Sequence, residues 1–213
     1  MEEISQPSAH IRILSVDDHP LLREGIAVII NSQPDMLLTA VASSGREGIQ
    51  SFREHRPDVA LMDLRLPDLS GIDALIAIRS EFPEARIIML TTFAGDGDIQ
   101  RALQAGAYGY VLKSTPPGEL LEAIRKVHSG KKTVSREVAA QLAEHMGGEA
   151  LSEREIGVLR QVGGGNRNKD IADRLSISEE TVKAHIKHIM EKLGASDRTH
   201  AMAIAVRRGI IEI

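Results

Sequence analysis

Ile11-Arg12-Ile13-Leu14-Ser15-Val16-Asp17-Asp18, residues 11–18, decides the fold. A mostly apolar run of strand length ends there in two adjacent carboxylates. Four more apolar runs of strand length follow, at 36–42, 58–62, 86–90 and 109–112. Between them the apolar residues take helical spacing, at 20–31, 45–55, 71–82 and 96–105. A fifth helix is expected after Thr115, which can cap it, with Pro116 at the first helical position, where a missing N–H costs nothing. Strands that alternate with helices build a parallel sheet covered on both faces. The expectation is an α/β domain with a doubly wound, five-stranded parallel sheet.

In such a sheet, ligands bind beyond the carboxyl ends of the strands. The first strand runs out into Asp17 and Asp18, the third into Asp63, the fourth into Thr91 and the fifth into Lys113. Each alone has a plain structural use. A paired Asp after a strand often caps a helix, and an aromatic such as Tyr110 within a strand often only packs. Four strand ends that deliver polar groups to one rim are harder to explain by packing. Three carboxylates within about 5–6 Å repel by roughly 3 kcal/mol per pair at an effective dielectric near 20. They call for a cation. With oxygen donors and no cysteine in the chain, a hard divalent ion such as Mg2+ is the expected occupant. A carboxylate beside such an ion can attack phosphorus to form an aspartyl phosphate. Lys113 and Thr91 would supply donors to the phosphoryl oxygens.

The rest of the 213 residues is organised differently. A helical segment at 135–145 leads into Met146-Gly147-Gly148-Glu149-Ala150, read as a linker. Ser152-Glu153-Arg154-Glu155 then has the spacing of a capping box. Four helices follow without strand patterning, separated by 163–166, 176–178 and 194–197. The whole chain carries a net charge of −4, yet residues 149–213 hold 11 Lys and Arg against 10 Asp and Glu. Within 181–192, Lys183, Lys187 and Lys192 face only Glu191, with His185 and His188 between them. Val182, Ile186, Ile189, Met190 and Leu193 make a buried stripe on the same helix, so Lys183, Ala184, Lys187 and His188 share the other face. That face is either an ordinary solvated one or a reader of DNA. Lysines one turn apart can reach guanine edges or phosphates, and Ala184 permits close approach to a thymine methyl. Two histidines with no third ligand do not make a metal site.

Two resemblances sharpen these readings. The first ~130 residues resemble the receiver domain of two-component response regulators, through SVDDHPLLREG, LMDLRLPDLSG, IIMLTTF and GYVLKS. The resemblance implies a flavodoxin-like receiver fold with Asp63 as phosphoacceptor. It implies Mg2+ held by Asp18, Asp63, the Arg65 carbonyl and, through water, Asp17. Thr91 and Tyr110 become the switch pair, and Ser114 stands where many receivers have a proline in a cis peptide bond. LSEREIGVLRQV and NKDIADRLSISEETVKAHIKHIMEKLGASDRTHA resemble the LuxR-type helix-turn-helix, nearly all of 150–207. This implies base contacts from Lys183, Ala184 and Lys187, and phosphate contacts from Asn168, Lys169, Thr181 and His185. Where that family often has Ala-Glu-Gly, this chain has Gly163-Gly164-Gly165, and early fraying of the preceding helix is expected.

Together the two place the chain in the NarL/FixJ class, with a receiver at 1–130, a linker with a helix at 131–149 and a DNA-binding domain at 150–213. The implied partners are a sensor histidine kinase, double-stranded promoter DNA and a second copy of the chain once phosphorylated. The implied function is phosphorylation-dependent transcription regulation, the only catalysis being the receiver's own phosphoryl transfer and dephosphorylation. A phosphate hydrolase on a similar sheet would carry a second Asp two residues after the first, where Arg65 stands. DNA binding controlled independently of phosphorylation is the alternative. No run of about 18 apolar residues appears and the first ten residues are acidic and polar, so a cytoplasmic protein without membrane association is expected.

Overall fold

The computed structural model describes residues 10–92, 95–145 and 149–211, arranged as two units. The first is built on a parallel sheet. In chain order its elements are β1 (Ile11–Val16), α1 (Pro20–Asn31), β2 (Met36–Ala42), α2 (Gly45–His55), β3 (Val59–Asp63), α3 (Gly71–Glu81), β4 (Ile87–Thr91), α4 (Asp96–Gln104), β5 (Gly109–Leu112), α5 (Pro117–His128) and β6 (Thr133–Val134). α6 (Arg136–His145) follows.

The strand order is β2-β1-β3-β4-β5-β6, all neighbours parallel. From β1 the chain first winds outward to β2 and then crosses to β3 on the other side, so the winding reverses between β1 and β3. β3 and β4 are buried at every position, as strands covered on both faces must be. One core cluster joins Ile13, Leu61, Ile88 and Leu90 of the sheet to Ile30 of α1 and to Ile124 and Val127 of α5. Each such side chain contributes roughly 1.5–3 kcal/mol by leaving water.

The sheet has six strands where five were expected. β6 is only two residues long, too short to show alternation, and pairs Thr133 with Gly109 and Val134 with Tyr110. β3 and β4 also begin and end one residue later than the apolar runs indicate. Asp58 stands just before β3, and its Oδ2 accepts the Arg12 N–H at 2.8 Å, so it serves β1 from outside the ladder. α5 starts at Pro117 with Pro116 as its cap residue, and Thr115 does not cap it. The described residues contain no cis peptide bond, so Lys113-Ser114 is trans.

The second unit is helical. α7 (Glu153–Gly163), α8 (Asn168–Leu175), α9 (Glu179–Leu193) and α10 (Arg198–Arg207) enclose a core of Val158, Leu159, Val162, Ile171, Val182, Ile189 and Ile204. The capping box at the start of α7 is present in both directions. Glu155 Oε2 also accepts from Lys192 Nζ at 3.0 Å, which ties α7 to α9. At the other end the three glycines give the helix a defined stop. Gly165 takes a φ of +74°, its N–H reaches Val162 O and the Asn166 N–H reaches Gln161 O, the paired bonds of a Schellman cap. Residues 146–148 of the expected linker lie outside the described residues.

Candidate functional site

The rim where the winding reverses carries the polar strand ends. Asp17, just past β1, and Asp63, the last residue of β3, are almost wholly buried, at 0% and 3% exposure. Lys113, just past β5, places Nζ 2.7 Å from Asp17 Oδ2 and 2.7 Å from Asp63 Oδ2. One ammonium therefore bridges two carboxylates from different strands. Its backbone N–H donates to Thr91 O at 2.7 Å, which fixes the exit of β5 against the end of β4. Thr91 is buried at that end. Tyr110 lies within β5 with its ring fully buried.

Electrostatics follow from the burial. Loss of water pushes the Asp63 carboxyl above its ordinary value, and the Lys113 ammonium only partly offsets this. Burial works against the charge on Lys113, but hydrogen bonds to Asp17 and Asp63 outweigh it and raise its affinity for the proton. The ammonium is thus held charged where an anion would be placed.

Asp17, Asp18, His19 and Asp63 each offer a ligand atom, all within 4.8 Å of one another. Asp18 is exposed. The Arg65 N–H reaches Asp63 Oδ1 at 3.3 Å, so the loop after β3 folds back toward the carboxylate. Gly71 makes that fold possible. A Cβ there would stand 1.9 Å from the Asp63 carbonyl oxygen, so no other residue fits this approach.

In the second unit, α8 and α9 are joined by a turn in which Ser176 takes a φ of +53°. Ser178 caps α9 by accepting the Thr181 N–H at 3.1 Å. Thr181, Lys183, Ala184, Lys187 and His188 are exposed and His185 is half-buried, while Val182, Ile189 and Leu193 point inward. Lys169 is exposed. Asn168 is half-buried, its Oδ1 accepting from Arg198 Nη1 at 3.3 Å. Lys187 lies 3.7 Å from Glu191, one turn along α9. The structure thus gathers five of the seven expected contact residues on α9 and the other two at the start of α8.

Sequence reasoning missed His19, Gly71 and Arg198. His19 adjoins the Asp-Asp pair and could have been found by asking which donors flank it; the other two act through contacts distant in sequence.

Comparison with known proteins agrees with this construction. Residues 13–125 match the response regulator receiver domain, and residues 149–205 match the bacterial regulatory proteins of the luxR family. The chain is 40% identical over 214 residues to the uncharacterized transcriptional regulatory protein YxjL of Bacillus subtilis, covering 95% of this chain and 98% of that one. It is 40% identical over 198 residues to a nitrate/nitrite response regulator protein homolog of Haemophilus influenzae, covering 91% and 95%. The two-component response regulator RcsB, solved as a DNA complex, superposes with a TM-score of 0.73 at 25% identity, covering 93% of this chain and 98% of that one. A receiver sheet, a helical luxR-family domain and relatives aligned along nearly their whole length leave one conclusion: the chain belongs to the NarL-like two-component response regulators, which are transcription regulators.

Proposed function

We propose that Asp63 accepts a phosphoryl group from a sensor histidine kinase or a small phosphodonor, and that the modified protein pairs with a second copy and binds promoter DNA. The observation that carries this reading is the bridge from Lys113 to both Asp17 and Asp63 at 2.7 Å. A charged donor is held beside a buried carboxylate at the strand ends where ligands bind.

In the transfer, an oxygen of Asp63 attacks phosphorus, an O–P bond forms, and the bond to the donor's nitrogen or oxygen breaks with its electron pair leaving on the donor. Lys113 Nζ then has a phosphoryl oxygen to bind in place of a carboxylate, and the Thr91 hydroxyl can donate to another. Water attack on the same phosphorus later restores the carboxylate and releases inorganic phosphate. The donor set fits Mg2+: oxygens of Asp17, Asp18 and Asp63 gather within 4.8 Å, with the Arg65 carbonyl assigned as a further donor by family likeness. Bound there, the ion would neutralise charge on the transferring group. Thr91, the last residue of β4, and the buried Tyr110, three residues before Lys113 within β5, are assigned as the switch pair by family likeness.

On the DNA side, Lys183, Ala184 and Lys187 are assigned to base edges, and Asn168, Lys169, Thr181 and His185 to phosphates. The capped start of α9 adds its positive end. The phosphoacceptor role falls to residues 1–130 and the DNA role to 150–213, joined through 131–149. The protein acts in the cytoplasm, where DNA and kinase output meet; no helix among the described residues is long and apolar enough to cross a membrane.

The test compares wild type with Asp63→Asn for size and DNA affinity, with and without magnesium and a small phosphodonor. The expected result is a donor-dependent shift to dimer and tighter binding in the wild type alone. DNA binding that ignores the donor in both would replace this reading with control independent of phosphorylation.

A further inference from the structure

His19 stands one residue past the carboxylate pair and has no part in the chemistry above. Its Nδ1 lies 2.8 Å from Asp18 Oδ1 and 3.0 Å from Asp17 Oδ1. That nitrogen and the carboxylates of Asp17, Asp18 and Asp63 present ligand atoms within 4.8 Å of one another. Metal bonds of about 2.1 Å set at right angles hold neighbouring donor atoms about 3.0 Å apart. The imidazole nitrogen is therefore already spaced from two carboxylates as adjacent ligands of one six-coordinate ion are. Its backbone is fixed too: the His19 N–H donates to Asp17 Oδ1 at 2.8 Å, and Pro20 starts α1 immediately after. The side chain is 63% exposed, so a hydrated ion can reach it from solvent.

The same distances also suit a hydrogen bond from the imidazole to the carboxylates. The two arrangements differ in consequence. A hydrogen-bonding imidazole orients the carboxylates for every cation alike, whereas a ligating one discriminates among cations. Carboxylates and water suit magnesium, and imidazole favours the later divalent transition ions. We propose that His19 Nδ1 is a fourth side-chain donor of this cation site and gives it a preference for a borderline divalent transition ion over magnesium. The proposal rests on reading the rim as the receiver's cation site.

The test uses the full chain as wild type, His19→Ala and His19→Gln, the last keeping a side chain that can hydrogen-bond to carboxylates. Magnesium and cobalt(II) are titrated by calorimetry, and manganese(II) at substoichiometric loading is examined by pulsed electron paramagnetic resonance for coupling to imidazole nitrogen. The expected result is that both variants lose cobalt affinity, keep most of their magnesium affinity, and lose the nitrogen coupling seen in the wild type. Equal losses for both ions, rescue by glutamine, or a wild type without nitrogen coupling would overturn the proposal and leave His19 an orienting residue. If magnesium binds and a phosphodonor still labels Asp63 in these cases, only the role of His19 falls. If the wild type binds no divalent ion and Asp63 stays unlabelled, the reading of the rim falls with it.

Discussion

At the scale of single residues, the site depends on close approaches that leave no room. Gly71 is the sharpest case, since a methyl there would overlap the Asp63 carbonyl oxygen. Gly71→Ala is expected to push the loop after β3 away from the acceptor, with a loss on the order of 1–3 kcal/mol from overpacking and a larger fractional loss of phosphodonor labelling. Thermal unfolding and mass spectrometry of the labelled protein check the two effects separately. Asp17, Asp63, Thr91 and Lys113 were legible as strand-end residues because a parallel sheet sends all its carboxyl ends to one rim. Gly71 and His19 were not, because what matters about them is distance to atoms that sequence spacing does not specify.

At the scale of elements, caps and faces decide behaviour. The carboxyl of Glu155 is nearly buried, which alone would raise its pKa, but the Ser152 N–H, the Lys192 ammonium and the Ser152 hydroxyl hold it below its ordinary value of 4.5. A carboxyl lowered in the folded state adds stability that is fully present above its unfolded value and is lost as pH falls through the lowered one. The helical unit is therefore expected to lose stability progressively in acid below about pH 4.5, and Glu155→Gln to flatten that dependence while lowering stability at neutral pH. Denaturant titrations from pH 3 to pH 7, values chosen to span roughly the carboxylate range, read both.

The exposed lysine face of α9 gives a second element-scale expectation. Lys183→Ala should weaken DNA binding by about 1–3 kcal/mol if it reads a base, or reduce the salt slope by about one if it holds a phosphate. Affinity measured over a salt series separates these. The α9 stripe was legible because a helix repeats every few residues. β6 was not, because two residues carry no period. The start of α5 was misplaced by one because both Pro116 and Pro117 satisfy the rule for a first helical residue.

At the scale of the whole molecule, the division into a sheet-based unit and a helical unit was legible from the change of period, from strand runs alternating with helices to helices alone. The Schellman cap shows the limit of residue counting. Three consecutive glycines implied fraying, yet Gly165 supplies the one left-handed position that closes α7. The expected outcome is a narrow effect: amide exchange should be fast at Gly163 and Gly164 only relative to the α7 interior, and Gly165→Ala should destabilise the helical unit, since alanine tolerates that φ poorly.

The small strand β6 has a consequence for solubility. Without it, β5 would present an unpaired row of N–H and C=O groups at the sheet edge, a template for another chain. Thr133 and Ser135 cover that row by donating to Tyr108 O and Tyr110 O at 2.9 and 3.0 Å. A fragment ended at residue 130 would bare this edge, and one carried on through α6 would keep it covered. The shorter fragment should self-associate and precipitate at concentrations where the longer stays monodisperse, which light scattering distinguishes. Two residues of edge strand are thus expected to act as a guard against aggregation.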